Sequence, residues 1–132
     1  MKFMLMMHGT RAGWESILTT WTPAEFGEHV KFMQAFARDL AAAGELVMAE
    51  GLDMPSNAKV VTSGKGGPPV VTDGPFPESK EFLAGFWLVE VPTAERAVQI
   101  AAAASAAPGP GGRPLRIPIE VRQVMGAPPE SQ

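Results

Sequence analysis

Two strand-like stretches are apolar on both of their faces, and this constrains the chain more than any other feature. Phe3–Met7 is an unbroken apolar run that Gly9 ends. In Phe86–Val91 the residues Phe86 and Leu88 point one way, while Trp87, Val89 and Val91 point the other. Successive side chains of a strand face opposite sides of its sheet, so neither stretch tolerates an open, solvated face. Any fold for this chain has to cover both sides of the sheet that holds them.

Helical signals supply cover for one side. Thr22 and Glu25 form a Thr-x-x-Glu capping box with Pro23 at the first helical position, and Trp21 and Phe26 occupy the hydrophobic-staple positions. Phe26, Val30, Met33, Ala37 and Leu40 then recur every three or four residues, with Glu28, Lys31, Gln34 and Arg38 mostly off that stripe. Gly44 provides the stop. Thr93 caps a second helix over the alanine-rich Ala94–Ala107, with Ala97, Val98, Ile100, Ala101 and Ala104 inward. Thr10–Thr20 reads as a connecting loop with one helical turn.

The remaining segments read as strands and turns. Leu46–Leu52 is a strand, and Lys59–Ser63 with Val70–Thr72 is a hairpin around Gly64-Lys65-Gly66-Gly67. Pro108–Pro114, PGPGGRP, is a loop, because proline removes donors and glycine resists ordering. Leu115–Val124 alternates, with Leu115, Ile117, Ile119 and Val121 on one side and Arg116, Glu120 and Arg122 on the other; Pro118 marks an edge or a bulge. The order predicts an α+β fold: a ferredoxin-like antiparallel sheet with two helices on one face and an inserted β-hairpin. Two helices cover one face only, so a second copy of the chain is the expected cover for the other, as a homodimer. Residues 1–125 are expected to form a single domain, followed by a frayed tail over 126–132.

Composition narrows the function classes. With no cysteine, disulfides, thiolate metal sites and cysteine nucleophiles are excluded. A net charge of −3, with eleven basic residues among fourteen acidic ones, gives no footprint for nucleic acid. No segment approaches the roughly 20 apolar residues of a membrane span, and the start MKFMLMMHG lacks the features of a signal peptide. A cytoplasmic protein is expected.

The stretch VTDGPFPESKEFLAGFW, Val71 to Trp87, resembles the signature of the YCII-related proteins, named DGPF after the residues that stand here as Asp73, Gly74, Pro75 and Phe76. APGPGGRPL at Ala107–Leu115 and IEVRQVM at Ile119–Met125 extend the resemblance over almost the whole chain; Pro77 departs from the alanine expected there. The resemblance implies a dimeric α+β barrel and an active site near the aspartate. It also implies a dyad of a helix-borne histidine with an aspartate, which His29 matches by its helix position. Relatives encoded beside sigma factors make a non-catalytic, dimeric ligand-binding or regulatory protein the alternative reading.

Read from the residues, Asp73 is a general base, a carboxylate that orients a histidine, or a turn carboxylate accepting backbone N–H bonds. His29 lies beside the apolar stripe and needs a partner for its nitrogens, either Glu25 one turn earlier or Asp73 across the fold. Lys80 holds an anionic substrate while Glu78 or Glu81 manages protons, or the three belong to a one-turn charged helix on the surface. Glu120 and Arg122 face the inter-sheet space as an ion pair or as part of a polar cavity, where Arg122 would neutralise an anion. His8 stands without a second ligand at metal spacing, so no metal is expected, nor any cofactor. The expected activity is small-molecule binding with acid-base chemistry of isomerase, lyase or hydrolase type, carried by His29 and Asp73.

Overall fold

The computed structural model describes residues 1–74 and 81–127. Its main layer is a four-stranded antiparallel sheet made of β1 (Lys2–Thr10), β2 (Leu46–Gly51), β5 (Glu81–Glu90) and β6 (Ile119–Gln123), in the order β2-β5-β1-β6. The two apolar stretches lie side by side at its centre as β1 and β5, where Leu5 pairs with Trp87 and Phe3 with Val89. Set apart from this sheet, β3 (Lys59–Thr62) and β4 (Val70–Asp73) form the expected hairpin as a two-stranded sheet of their own. With the hairpin removed, the four strands follow the order of a split βαβ plan.

Helices α2 (Pro23–Ala42) and α3 (Ala94–Ser105) cover one face. The core gathers Phe3, Leu5, Trp87 and Val89 from that face, Leu40 from α2, and Ala97, Ile100, Ala101 and Ala104 from α3, with Met33 and Phe36 packed against them. The alanines let α3 approach the sheet closely. Phe36 meets Trp87 edge to face at 5.6 Å. The stripe on α2 is rotated from the expected one: Phe26 and Val30 are exposed, and Phe36 takes an inward place. On α3, Val98 turns outward, since one position past buried Ala97 is about 100° around the helix.

The local signals for α2 are met at both ends. Thr22 Oγ1 accepts from Glu25 N–H, and Glu25 Oε1 accepts from Thr22 N–H, which completes the capping box. At the other end Gly44 adopts φ 75°, the Gly44 N–H donates to Ala41 O, and the Glu45 N–H donates to Leu40 O, a Schellman stop.

Two further expectations are corrected. Thr10–Thr20 is not a loop: Arg11–Thr20 forms helix α1, capped by Thr10, whose hydroxyl accepts from Gly13 N–H. Trp14, Ile17, Leu18 and Trp21 carry helical spacing, but no residue of α1 is fully buried, so the stripe reads faintly. The last strand is also shorter than Leu115–Val124. Arg116 sits at φ 57° and Pro118 has no N–H, so regular pairing begins at Ile119.

Candidate functional site

Strand alternation places Met4, Met6 and His8 on the face of β1 turned away from the helices, opposite to Phe3 and Leu5. Met4 is flanked by Leu88 on β5 and Arg122 on β6, and Met6 by Phe86 and Glu120. On the far side, Met48 of β2 pairs with Leu88, and Glu50 with Phe86. The open face therefore carries two apolar rows bordered by charge at both edge strands. Met4, Met6, Phe86 and Leu88 are half-buried, and Met48 is exposed.

His8 lies where pairing between β1 and β5 shifts, with Met7 opposite Gly85 and His8 opposite Leu83. Such a bulge skips one residue and increases local twist. The imidazole Nε2 is 2.9 Å from Glu120 Oε1. An ionised carboxylate only accepts, so Nε2 carries the proton and donates, leaving Nδ1 as the lone-pair nitrogen of the neutral ring. Arg122 Nε lies 3.9 Å from the other Glu120 oxygen, a loose ion pair on a largely exposed guanidinium. Sequence reasoning placed Glu120 and Arg122 on this face but gave His8 no role; the signal was that residue 8 shares the parity of Met4 and Met6.

His29 sits on α2 against the loop that follows α3. Its Nδ1 is 3.0 Å from Pro108 O, so Nδ1 donates and Nε2 keeps the lone pair. Trp21 packs edge to face on the ring at 5.5 Å. Glu25 grips the same loop, Oε2 accepting from Gly111 N–H at 2.6 Å. The backbone N–H groups of Thr22 and then Gly111 hold the Glu25 carboxyl below its ordinary range. Two side chains one turn apart thus fasten PGPGGRP to the helix.

Asp73 ends β4 with a different set of neighbours. Its Oδ1 accepts from Lys59 Nζ at 2.8 Å across the hairpin, where the two residues are register partners, and its side chain is 83% exposed. Gly74 follows at φ 82° and donates its N–H to Ala58 O, so the Asp-Gly pair turns the chain as its residue types suggest. His29 and Asp73 are thus engaged separately, one with Pro108 and one with Lys59. Glu81 opens β5 opposite Thr10 and is exposed. Glu78 and Lys80, with Pro75 and Phe76, lie outside the described residues.

A cleft of about 340 Å³ opens between the Leu52–Ala58 segment and Phe82 with Leu83. The Asp53 carboxylate beside it is occupied by Met54 N–H and the Asn57 amide. Trp14 touches Phe82 at 6.3 Å between ring centroids, and its buried Nε1 meets no hydrogen-bond partner among the described residues. Among the described residues, no three His, Asp or Glu side chains converge as a metal site requires, and no helix is long and apolar enough to cross a membrane.

The model of the YCII-related domain matches residues 1–110, from β1 through the loop that His29 holds. The chain belongs to the YCII-related family. A relative by sequence is an uncharacterized protein, R00369, of Rhizobium meliloti (strain 1021), 31% identical over 87 residues that span 66% of this chain and 69% of that one. The family match takes in the DGPF segment together with both helices of the core, so this signature belongs to the fold as a whole.

Proposed function

We propose that this YCII-related protein binds a small molecule between the open faces of two copies of its sheet, arranged as a twofold homodimer. The observation that supports the reading is the open face itself: Met4, Met6, Met48, Phe86 and Leu88 form an apolar floor that ends at an oriented histidine. Twofold closure lays the same rows against each other, so each copy covers the apolar side chains of its partner. The space left between twisted sheets is then lined by apolar floor and by the polar β6 edge. This completes the dimeric α+β barrel that the family resemblance implies.

The chemistry on offer is proton transfer. Each histidine has one nitrogen donating to a fixed acceptor, which sets the tautomer and leaves the other nitrogen for a substrate. His8 opens onto the proposed cavity. His29 remains a proton acceptor through Nε2, but its pairing with Asp73 gains no support from contacts that run to Pro108 and Lys59. A thermal-denaturation screen of small metabolites tests the binding function, since a specific ligand raises the midpoint by mass action. The expected hits stabilise the native chain in a saturable way and lose that effect in Leu88→Lys. Hits that stabilise Leu88→Lys equally would place the binding site elsewhere.

A further inference from the structure

We infer that His8, Glu120 and Arg122, at the β1–β6 edge of the open face, bind an organic monocarboxylate with a compact apolar body. The inference deepens the small-molecule reading above and rests on the open face being the binding face.

Three features select this ligand class. Arg122 is 72% exposed and its one ionic contact among the described residues is the 3.9 Å approach to Glu120, so its planar fork of N–H donors stays available. That fork matches the two oxygens of a carboxylate. Next, Glu120 accompanies the arginine, so the two side chains sum to zero charge. A carboxylate monoanion leaves the cluster with a single negative charge, whereas a phosphate dianion would leave two and press harder against the Glu120 carboxylate. Finally, Arg122 borders Met4 and Glu120 borders Met6, with Leu88 and Phe86 next in each row. A ligand whose carboxylate meets Arg122 therefore lays its body on methionine and aromatic surface, polarizable groups that adapt to varied apolar shapes.

His8 completes the site. Glu120 fixes its Nε2–H, which holds the ring at the end of the row of Met4 and Met6, where a bound ligand changes its surroundings. Removing Glu120 frees the ring, so Glu120 is a positioning residue here.

Phenylacetate is the probe, with phenylacetamide as its neutral isostere. The chain has two histidines, so their imidazole proton signals report directly on His8 against His29, with His8→Gln giving the assignment. Phenylacetate is expected to shift the His8 signals saturably and to leave those of His29 in place. Binding is expected to weaken about tenfold or more in Arg122→Gln, and by a similar factor for the amide, because a charge-assisted pair is lost in both. In Glu120→Gln the His8 signals should move even without phenylacetate. If phenylacetate leaves His8 unshifted, or if the amide or Arg122→Gln binds equally well, the carboxylate site is refuted. Mass measured on the same samples separates this from the dimer: a dimer without the phenylacetate response sinks the ligand class alone, and a monomer that still shows it sinks the dimer alone.

Discussion

Single side chains tie the helical layer of this molecule to the sheet and its loops, and one of these ties is a two-point ion pair. Arg96 at the start of α3 grips Glu45, just past α2, through Nε to Oε2 and Nη2 to Oε1, both at 2.7 Å. The Glu45 side chain is only 15% exposed, and the Arg96 hydrogen bonds hold its carboxyl below the ordinary value of 4.5. A group with a depressed folded pKa stabilises the fold above its unfolded pKa. That contribution disappears as pH falls through the folded value. The thermal midpoint of the native chain should therefore drop below about pH 4.5, and Glu45→Gln should flatten part of that dependence while lowering the midpoint at pH 7. Equal pH profiles for the two proteins would remove the pair from the account. Glu25 follows the same sign through its bonds to Thr22 and Gly111, so acid should also loosen the PGPGGRP loop. At this scale the sequence was readable where a motif is local: the capping box at Thr22 and Glu25 stands as written. The contacts of His8 with Glu120 and of His29 with Pro108 span 112 and 79 residues, and no local spacing encodes them.

Among the elements, the central strands carry the stability. Leu5 and Val89 are fully buried and lie in β1 and β5, between the helices and the open face. Leu5→Ala should cost about 2–5 kcal/mol, read from denaturant unfolding, because the cavity it leaves is walled by Trp87 and the α3 alanines. Gly85 allows β2 to approach β5; a Cβ there would lie 2.9 Å from Glu50 O. Gly85→Ala should therefore cost about 1–3 kcal/mol by overpacking, despite the small size of the added methyl. A neutral result would mean that β2 shifts freely. Strands β1 and β5 were legible because both of their faces are apolar, which leaves a continuous apolar run. Helix α1 was less so, since none of its residues is fully buried and its composition mixes glycine, threonine and tryptophan. The shortened β6 shows the limit of alternation: the pattern continues through Leu115 and Ile117, but the backbone at Arg116 and Pro118 does not follow it.

For the whole molecule, the uncovered side of the sheet decides the account. Helices α2 and α3 serve one face, and the apolar rows on the other were visible in the sequence as Phe86 and Leu88 opposite Trp87 and Val89. In the proposed dimer a second chain covers those rows, and no single chain's pattern specifies that contact. The proposed dimer and its cavity depend on that face being closed by a second copy. Sedimentation equilibrium tests this most directly. The native protein should have twice the chain mass of 14.0 kDa, and Met6→Lys or Leu88→Lys should reduce it to one chain with the helical circular dichroism unchanged. A native protein that stays at 14.0 kDa across the concentration range, or a dimer indifferent to both lysines, would contradict the account.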